Sequence, residues 1–133
     1  MTQPVTLSTA GSIAVIEINN PPVNALNQAV RQGLRDAIVQ ADTDTAFTAI
    51  VIIGAGRSFP AGADIKEFDQ PMQDPHLPDV IDRIESCSKP VVAALHGTAL
   101  GGGFEIALGS HYRRRSEIFA CNQLEVIALT LQL

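Results

Sequence analysis

The chain is short of positive charge. Nine lysines and arginines stand against fourteen aspartates and glutamates, for a net charge of -5. That balance excludes nucleic acid as the main partner. The basic cluster Arg113-Arg114-Arg115 is too short for a binding arm. Cysteine is scarce as well. Cys87 and Cys121 have no CxxC partner and no histidine at metal spacing, so both are expected as free thiols in a reducing, cytoplasmic setting. Met1 to Val5 lacks the basic start and apolar core of a signal peptide. No apolar run approaches the roughly 18 residues of a spanning helix, so no membrane segment is expected.

Several catalytic motifs are missing too. There is no Gly-Lys-Ser/Thr of a P-loop and no Gly-x-Ser-x-Gly of a hydrolase elbow. Gly54-Ala-Gly-Arg-Ser58 begins like a dinucleotide loop but lacks its third glycine. Tyr112 has Ser116, not a lysine, four residues on, which argues against a nucleotide-dependent oxidoreductase. His76, His96 and His111 share no ligand spacing, and no metal site is expected. His96 ends a strand and reads as a structural histidine. His111 follows a helix and reads as a complement to that helix's C-terminus.

What the chain does have is one core's worth of sequence, 133 residues with 46% hydrophobic content. Ile13 to Ile18 is a β-branched run stopped by Asn19-Asn20-Pro21-Pro22, which predicts a strand. An earlier strand at Val5 to Ser8 is expected to pair with it across the Ala10-Gly11 turn. Asn27 is placed to cap a helix from Gln28 to about Ala41, with Val30, Leu34, Ala37, Ile38 and Ala41 on one face. Ala49 to Ile53 and Val91 to Leu95 are continuous apolar strands, each leaving into glycine. This alternation predicts an α/β protein with a largely parallel sheet, and a ligand site beyond the strand carboxyl ends.

Two stretches carry the chemistry. In Val91 to Glu105 a buried strand runs into a glycine-rich turn and then a helix start. Its free N–H groups suit developing negative charge, and Glu105 sits in the first turn. The same residues also fit an ordinary tight connection with a dipole-complementing glutamate. In Ser58 to Phe68, small residues flank Gly62, as a close-approach donor requires, and Asp64 to Phe68 predicts a short helix start. Gln70 to Pro78 is polar and holds three prolines, so a mobile loop over the pocket is expected. Asp79 to Ser86 reads as a helix with Val80, Ile81 and Ile84 inward.

Asn20-Pro-Pro-Val-Asn-Ala-Leu26, Phe59-Pro-Ala-Gly-Ala-Asp-Ile-Lys-Glu-Phe68 and Lys89 to Leu108 together resemble the crotonase superfamily, the enoyl-CoA hydratase/isomerase family. Gly109-Ser-His-Tyr-Arg113 looks more like the hydratase/isomerase portion of multifunctional β-oxidation enzymes than like a stand-alone hydratase. The resemblance runs from about Thr6 to Arg113. It implies the ClpP/crotonase spiral of ββα units, here as the N-terminal core only. Residues 1–133 would form a partial domain, family-like to about 113 and divergent over 114–133. It also implies that a thioester carbonyl sits between the Ala63 and Gly102 N–H groups. Val23, Ala25, Ala61, Asp64, Ile65 and Lys66 would line the CoA path. Glu105 matches the first catalytic glutamate, and Glu125 falls where the second is expected. CoA is part of the substrate, so no separate cofactor and no metal are implied. The partners would be an acyl-CoA thioester and further copies in a trimer-type homo-oligomer. Two features depart from the pattern. Leu124 stands where the family carries proline, and the glycine-rich loop expected after Glu125 is replaced by Val-Ile-Ala-Leu-Thr-Leu-Gln-Leu133. A truncated, non-catalytic acyl-CoA-binding fragment and a double-bond isomerase are therefore the alternatives to a hydratase.

Overall fold

The computed structural model describes residues 3–115; Cys121 and Glu125 lie outside them. Strands β1 (Val5–Ala10) and β2 (Ile13–Ile18) form an antiparallel hairpin in which Ala10 faces Ile13. Helix α1 (Gln28–Thr43) crosses to β3 (Ala49–Gly54), which pairs parallel with β2 from Ile13 opposite Ala49. Helix α2 (Leu77–Glu85) leads to β4 (Val91–Leu95), parallel to β3. Helix α3 (Gly102–Gly109) then leads to β5 (Tyr112–Arg115), parallel to β4. The strands lie in the order of the chain, β1 to β5. Successive crossovers of one hand across such a sheet place their helices on the same face.

That face holds the main core. Val30, Leu34 and Ile38 of α1, Val80 and Ile84 of α2 and Ile106 of α3 pack with Ile16, Ile52 and Ala93 of the sheet. The alternate strand residues Ile13, Val15, Val51, Ile53, Val92 and Ala94 form a second buried cluster. Burial on both faces is why β3 and β4 read as continuous apolar runs with no alternation. Asn27 caps α1 as predicted, accepting the Val30 N–H at 2.9 Å. In α2, Val80 and Ile84 are buried while Ile81 is only partly so.

Two expectations are corrected. The 70–78 segment is tethered: Arg31 holds the carbonyls of Gln73 and Pro75, and the Gln28 amide holds that of Asp74. Polar composition reported its exposure but not these partners. His111 serves a different helix from the one it follows. Its Nδ1 accepts the Val91 N–H at 3.0 Å, so the ring proton is assigned to Nε2, which lies 3.2 Å from the carbonyl of Glu85 at the end of α2. Separately, among the described residues the basic run at 113–115 lies on the exposed last strand of the sheet, and Arg113 reaches back to the carbonyls of Ala107, Leu108 and Ser110 at the end of α3.

Asp42, near the end of α1, ties the two long helices together. Its carboxylate accepts from the Ser88 hydroxyl at 2.6 Å, the Ser88 N–H at 3.0 Å and Arg83 at 2.8 Å. The Ser88 hydroxyl, and then Arg83, hold the carboxyl well below the usual carboxylate range against the opposing cost of burial. A depressed folded-state pKa stabilises the fold above the unfolded value of 3.8, and the contribution is lost as pH falls below it. Asp42→Asn should therefore cost about 1.5–3 kcal/mol at pH 7, the worth of hydrogen bonds to a charged group. The gap to wild type should narrow toward pH 3. Urea unfolding of both proteins at the two pH values checks this, and a gap that does not move with pH contradicts it.

Candidate active site

The segment leaving β3 and the segment leaving β4 run alongside each other. The Phe59 N–H donates to the His96 carbonyl at 2.9 Å. A Cβ on Gly103 would sit 1.6 Å from the Pro60 carbonyl oxygen, and one on Gly101 would sit 3.6 Å from the Gly62 Cα. Gly101 has φ +51 and Gly62 φ +128, a region that side-chain-bearing residues rarely adopt. The residues that follow these two glycines are Gly102 and Ala63. Among the described residues, no hydrogen bond takes the N–H of either. Gly102 opens α3, where the first N–H groups have no partner within the helix. Two unused N–H donors on adjoining backbones are what a developing oxyanion requires.

The turn before α1 supports the same region. Asn24 is 1% exposed and takes φ 56, a left-handed conformation that asparagine tolerates. Its side chain accepts the Asn20 N–H and donates to the carbonyls of Ala55 and Ser58, at 2.8–2.9 Å. This brings Val23 against the glycine segments, where the Val23 carbonyl accepts the Ala61 N–H at 3.2 Å. The Leu26 N–H donates to the Gly62 carbonyl at 2.9 Å. Val23 and Ala61 are thus neighbours, and the Ala25 carbonyl accepts from the Asn20 side chain at 2.8 Å. Asp64 caps the short 3-10 turn Ile65–Glu67, accepting the Lys66 N–H at 3.0 Å, and Ile65 and Lys66 are exposed beside it.

Ala63 borders a hollow of about 190 Å³ walled by Arg31, Glu67, Phe68 and Met72. Glu105 lies one helical turn beyond Gly102, exposed, in a separate groove of about 300 Å³ between α2 and α3 with Ile81, Asp82, Glu85 and Leu108. The structure therefore brings the segments that carry Ala63 and Gly102 together and sets Glu105 on the same helix as Gly102, but Glu105 and Ala63 do not share a hollow. Glu125 lies outside the described residues.

Two buried residues escaped the sequence reading. Arg31 is 7% exposed; a signal for it existed, because positions 31, 34, 38 and 41 form the inward stripe of α1 and a cation there needs a partner. Asn24 was legible only as a turn residue. His96, read as structural, is buried with Nε2 3.0 Å from the Gly56 carbonyl, and its Nδ1 has no partner among the described residues. Cys87 is a buried thiol whose pKa is pushed up by burial, so it is not an activated nucleophile. Asp74, His76 and Asp79 come within 4.8 Å of one another on the turn into α2. Sequence spacing did not anticipate that group. Two of its three residues are exposed, and a surface cluster of this kind does not by itself make a metal site. Among the described residues no helix is long and apolar enough to cross a membrane.

Comparison with known proteins bears on the fold and the family. A Danio rerio peroxisomal bifunctional enzyme is 51% identical over 102 residues, which cover 77% of this chain and 14% of that protein. A probable enoyl-CoA hydratase of Bacillus subtilis is 41% identical over 120 residues, covering 85% of this chain and 46% of that protein. The chain thus spans about half or less of the length of the curated relatives it matches. Among solved structures, an enoyl-CoA hydratase/carnithine racemase from Magnetospirillum magneticum superposes with a TM-score of 0.79 at 30% identity, covering 86% of this chain and 47% of that one. The fold is accordingly the crotonase-like α/β arrangement. The sequence profile for Enoyl-CoA hydratase/isomerase matches residues 8–124, and the chain belongs to that family of enzymes.

Proposed function

We propose that the chain carries the site of a hydratase that adds water to 2-enoyl-CoA thioesters in fatty-acid β-oxidation. The observation that carries this reading is the pair of unused N–H groups, Ala63 and Gly102, on adjoining backbones. In the reaction they would hold the thioester carbonyl oxygen. Glu105 would take a proton from water as its oxygen bonds to the β-carbon. The electron pair of the double bond would move onto the carbonyl oxygen as an enolate, where the two N–H groups stabilise it. A proton would then pass to the α-carbon, supplied by Glu125 if that residue reaches the site. Val23, Ala25, Ala61, Asp64, Ile65 and Lys66 would line the path of the CoA moiety. No metal or separate cofactor enters this scheme. A trimer-type assembly in the cytoplasm belongs to the same proposal.

A second reading is an acyl-CoA-binding domain without turnover. It is favoured by the position of Glu105, which occupies a different hollow from Ala63 and whose carboxylate has no partner among the described residues. A double-bond isomerase, in which one carboxylate shuttles the proton, would use the same N–H pair. The deciding experiment is hydration of crotonyl-CoA, followed by loss of enoyl-thioester absorbance, on protein shown to be folded by size exclusion. Turnover supports the hydratase. A folded protein that binds acyl-CoA without consuming it supports the second reading. One that neither binds nor reacts removes both.

A further inference from the structure

The geometry points to Arg31 as the positioning residue that sets the Ala63 N–H in register, an inference resting on the oxyanion role proposed for Ala63. Arg31 uses four of its five N–H donors on three separate segments. Its Nη1 donates to the Leu26 carbonyl at 2.8 Å and to Glu67 Oε1 at 3.0 Å. Its Nε donates to the Pro75 carbonyl at 2.8 Å, and its Nη2 to the Gln73 carbonyl at 3.1 Å.

Two of these contacts bracket Ala63. On one side, Leu26 accepts from Arg31 through its carbonyl and donates its N–H to the Gly62 carbonyl at 2.9 Å, so the guanidinium is two hydrogen bonds from the residue before Ala63. On the other side, Glu67 pairs with Arg31 through Oε1 and accepts the Gln28 N–H at 2.8 Å through Oε2. The segment from Gly62 to Glu67 is thereby fastened at both ends to the start of α1. The Gln73 and Pro75 contacts fasten the chain beyond it.

Arginine suits this position and lysine does not. A planar fork reaches carbonyls and a carboxylate in several directions at once, whereas an ammonium acts as a point charge. Arg31 forms part of the wall of the hollow beside Ala63. Because most of its donors are engaged by protein, it acts on the reaction through the backbone it holds. Burial makes that hold strict, since a buried cation that loses its partners is costly and the loop cannot drift without unpairing it.

The test uses the full chain as Arg31→Lys and Glu67→Gln beside wild type. The readouts are amide hydrogen exchange and steady-state kinetics with crotonyl-CoA. Arg31→Lys should lower kcat roughly 10- to 100-fold, the scale of a small misplacement of a catalytic donor. KM should stay within about threefold, because uniform binding is retained. Exchange should rise at the Leu26 and Gln28 amides while the strand amides of β2, β3 and β4 keep wild-type rates. Glu67→Gln keeps the side-chain shape and should move the same quantities in the same direction, by less.

A kcat within about twofold of wild type alongside faster Leu26 exchange would overturn the proposal, since the loop would have moved without consequence. Exchange rising equally through the sheet would also overturn it, by making Arg31 a general stabiliser. If wild type shows no turnover, the hydratase reading fails by itself. The exchange pattern then judges the loop-setting role separately, and an unchanged Leu26 amide rejects it.

Discussion

Replacing Glu105 by Gln is expected to remove hydration while leaving acyl-CoA binding within about twofold of wild type. The substitution keeps the shape of the side chain and deletes its ability to take or give a proton, a step worth typically 10²–10⁴-fold. Three observations keep the fold out of the result. Glu105 is exposed, its carboxylate has no partner among the described residues, and its backbone N–H still donates to the Gly101 carbonyl at 3.0 Å. The structural cost is then limited to a carboxylate lost from the first turn of α3, about 0.3–1 kcal/mol. The measurement is turnover of crotonyl-CoA beside a direct titration of acyl-CoA binding. Loss of turnover with retained binding assigns the proton transfer to Glu105. Equal turnover in the variant would remove Glu105 from the mechanism and leave the N–H pair without its acid/base partner.

The second large effect concerns Gly103, where stability and site geometry depend on the same atom-scale clearance. A methyl group there would lie 1.6 Å from the carbonyl oxygen of Pro60 and 2.4 Å from its carbonyl carbon. Both are backbone atoms in the segment that delivers Ala63, and they cannot step aside by a rotamer change. The neighbouring Gly102 gives the control. A Cβ there would meet Leu77 Cδ2 at 2.7 Å and Leu26 Cδ1 at 2.8 Å, the far ends of flexible side chains. Gly103→Ala should therefore destabilise by roughly 3–5 kcal/mol, the upper range for forced overpacking. Gly102→Ala should cost about 1–2 kcal/mol by side-chain adjustment. Chemical denaturation of the two variants decides it. Equal stabilities, or a larger loss at Gly102, would mean that the two glycine segments are not held as closely as the structure places them.

These effects bear on how function is divided along the chain. The sheet and the inward face of α1 supply rigidity. The site is built from the segments leaving the strands, whose backbones must come closer than side chains permit. Ligand sites in parallel sheets form at strand carboxyl ends because the connecting segments gather there. In this chain the segment leaving β3 is held on one side by the Asn24 side chain, at the carbonyls of Ala55 and Ser58, and on the other by the segment leaving β4, at the His96 carbonyl.

Much of this was legible before any coordinates. β-branched runs locate β2 and β3, and helical spacing of Val30, Leu34, Ala37, Ile38 and Ala41 locates the buried face of α1, because both signals are local and repeat with the backbone period. The glycine segments after two apolar strands mark the candidate site. The Asn-Pro-Pro, Ala-Gly-Ala-Asp and Gly-Gly-Gly-Phe-Glu motifs point to the family. Tertiary structure alone decided which distant groups meet. Arg31 reaches Gln73 and Pro75, His111 reaches Glu85, and Asn24 reaches Ser58. Those pairs are separated by 26 to 44 residues, and no periodicity encodes them. β5 was missed for the same kind of reason: an exposed arginine run has no apolar pattern, and it becomes a strand through the parallel partner offered by β4. Patterning records which side of an element avoids water. Which carbonyl a buried guanidinium will find depends on the packing of the whole sheet beneath it.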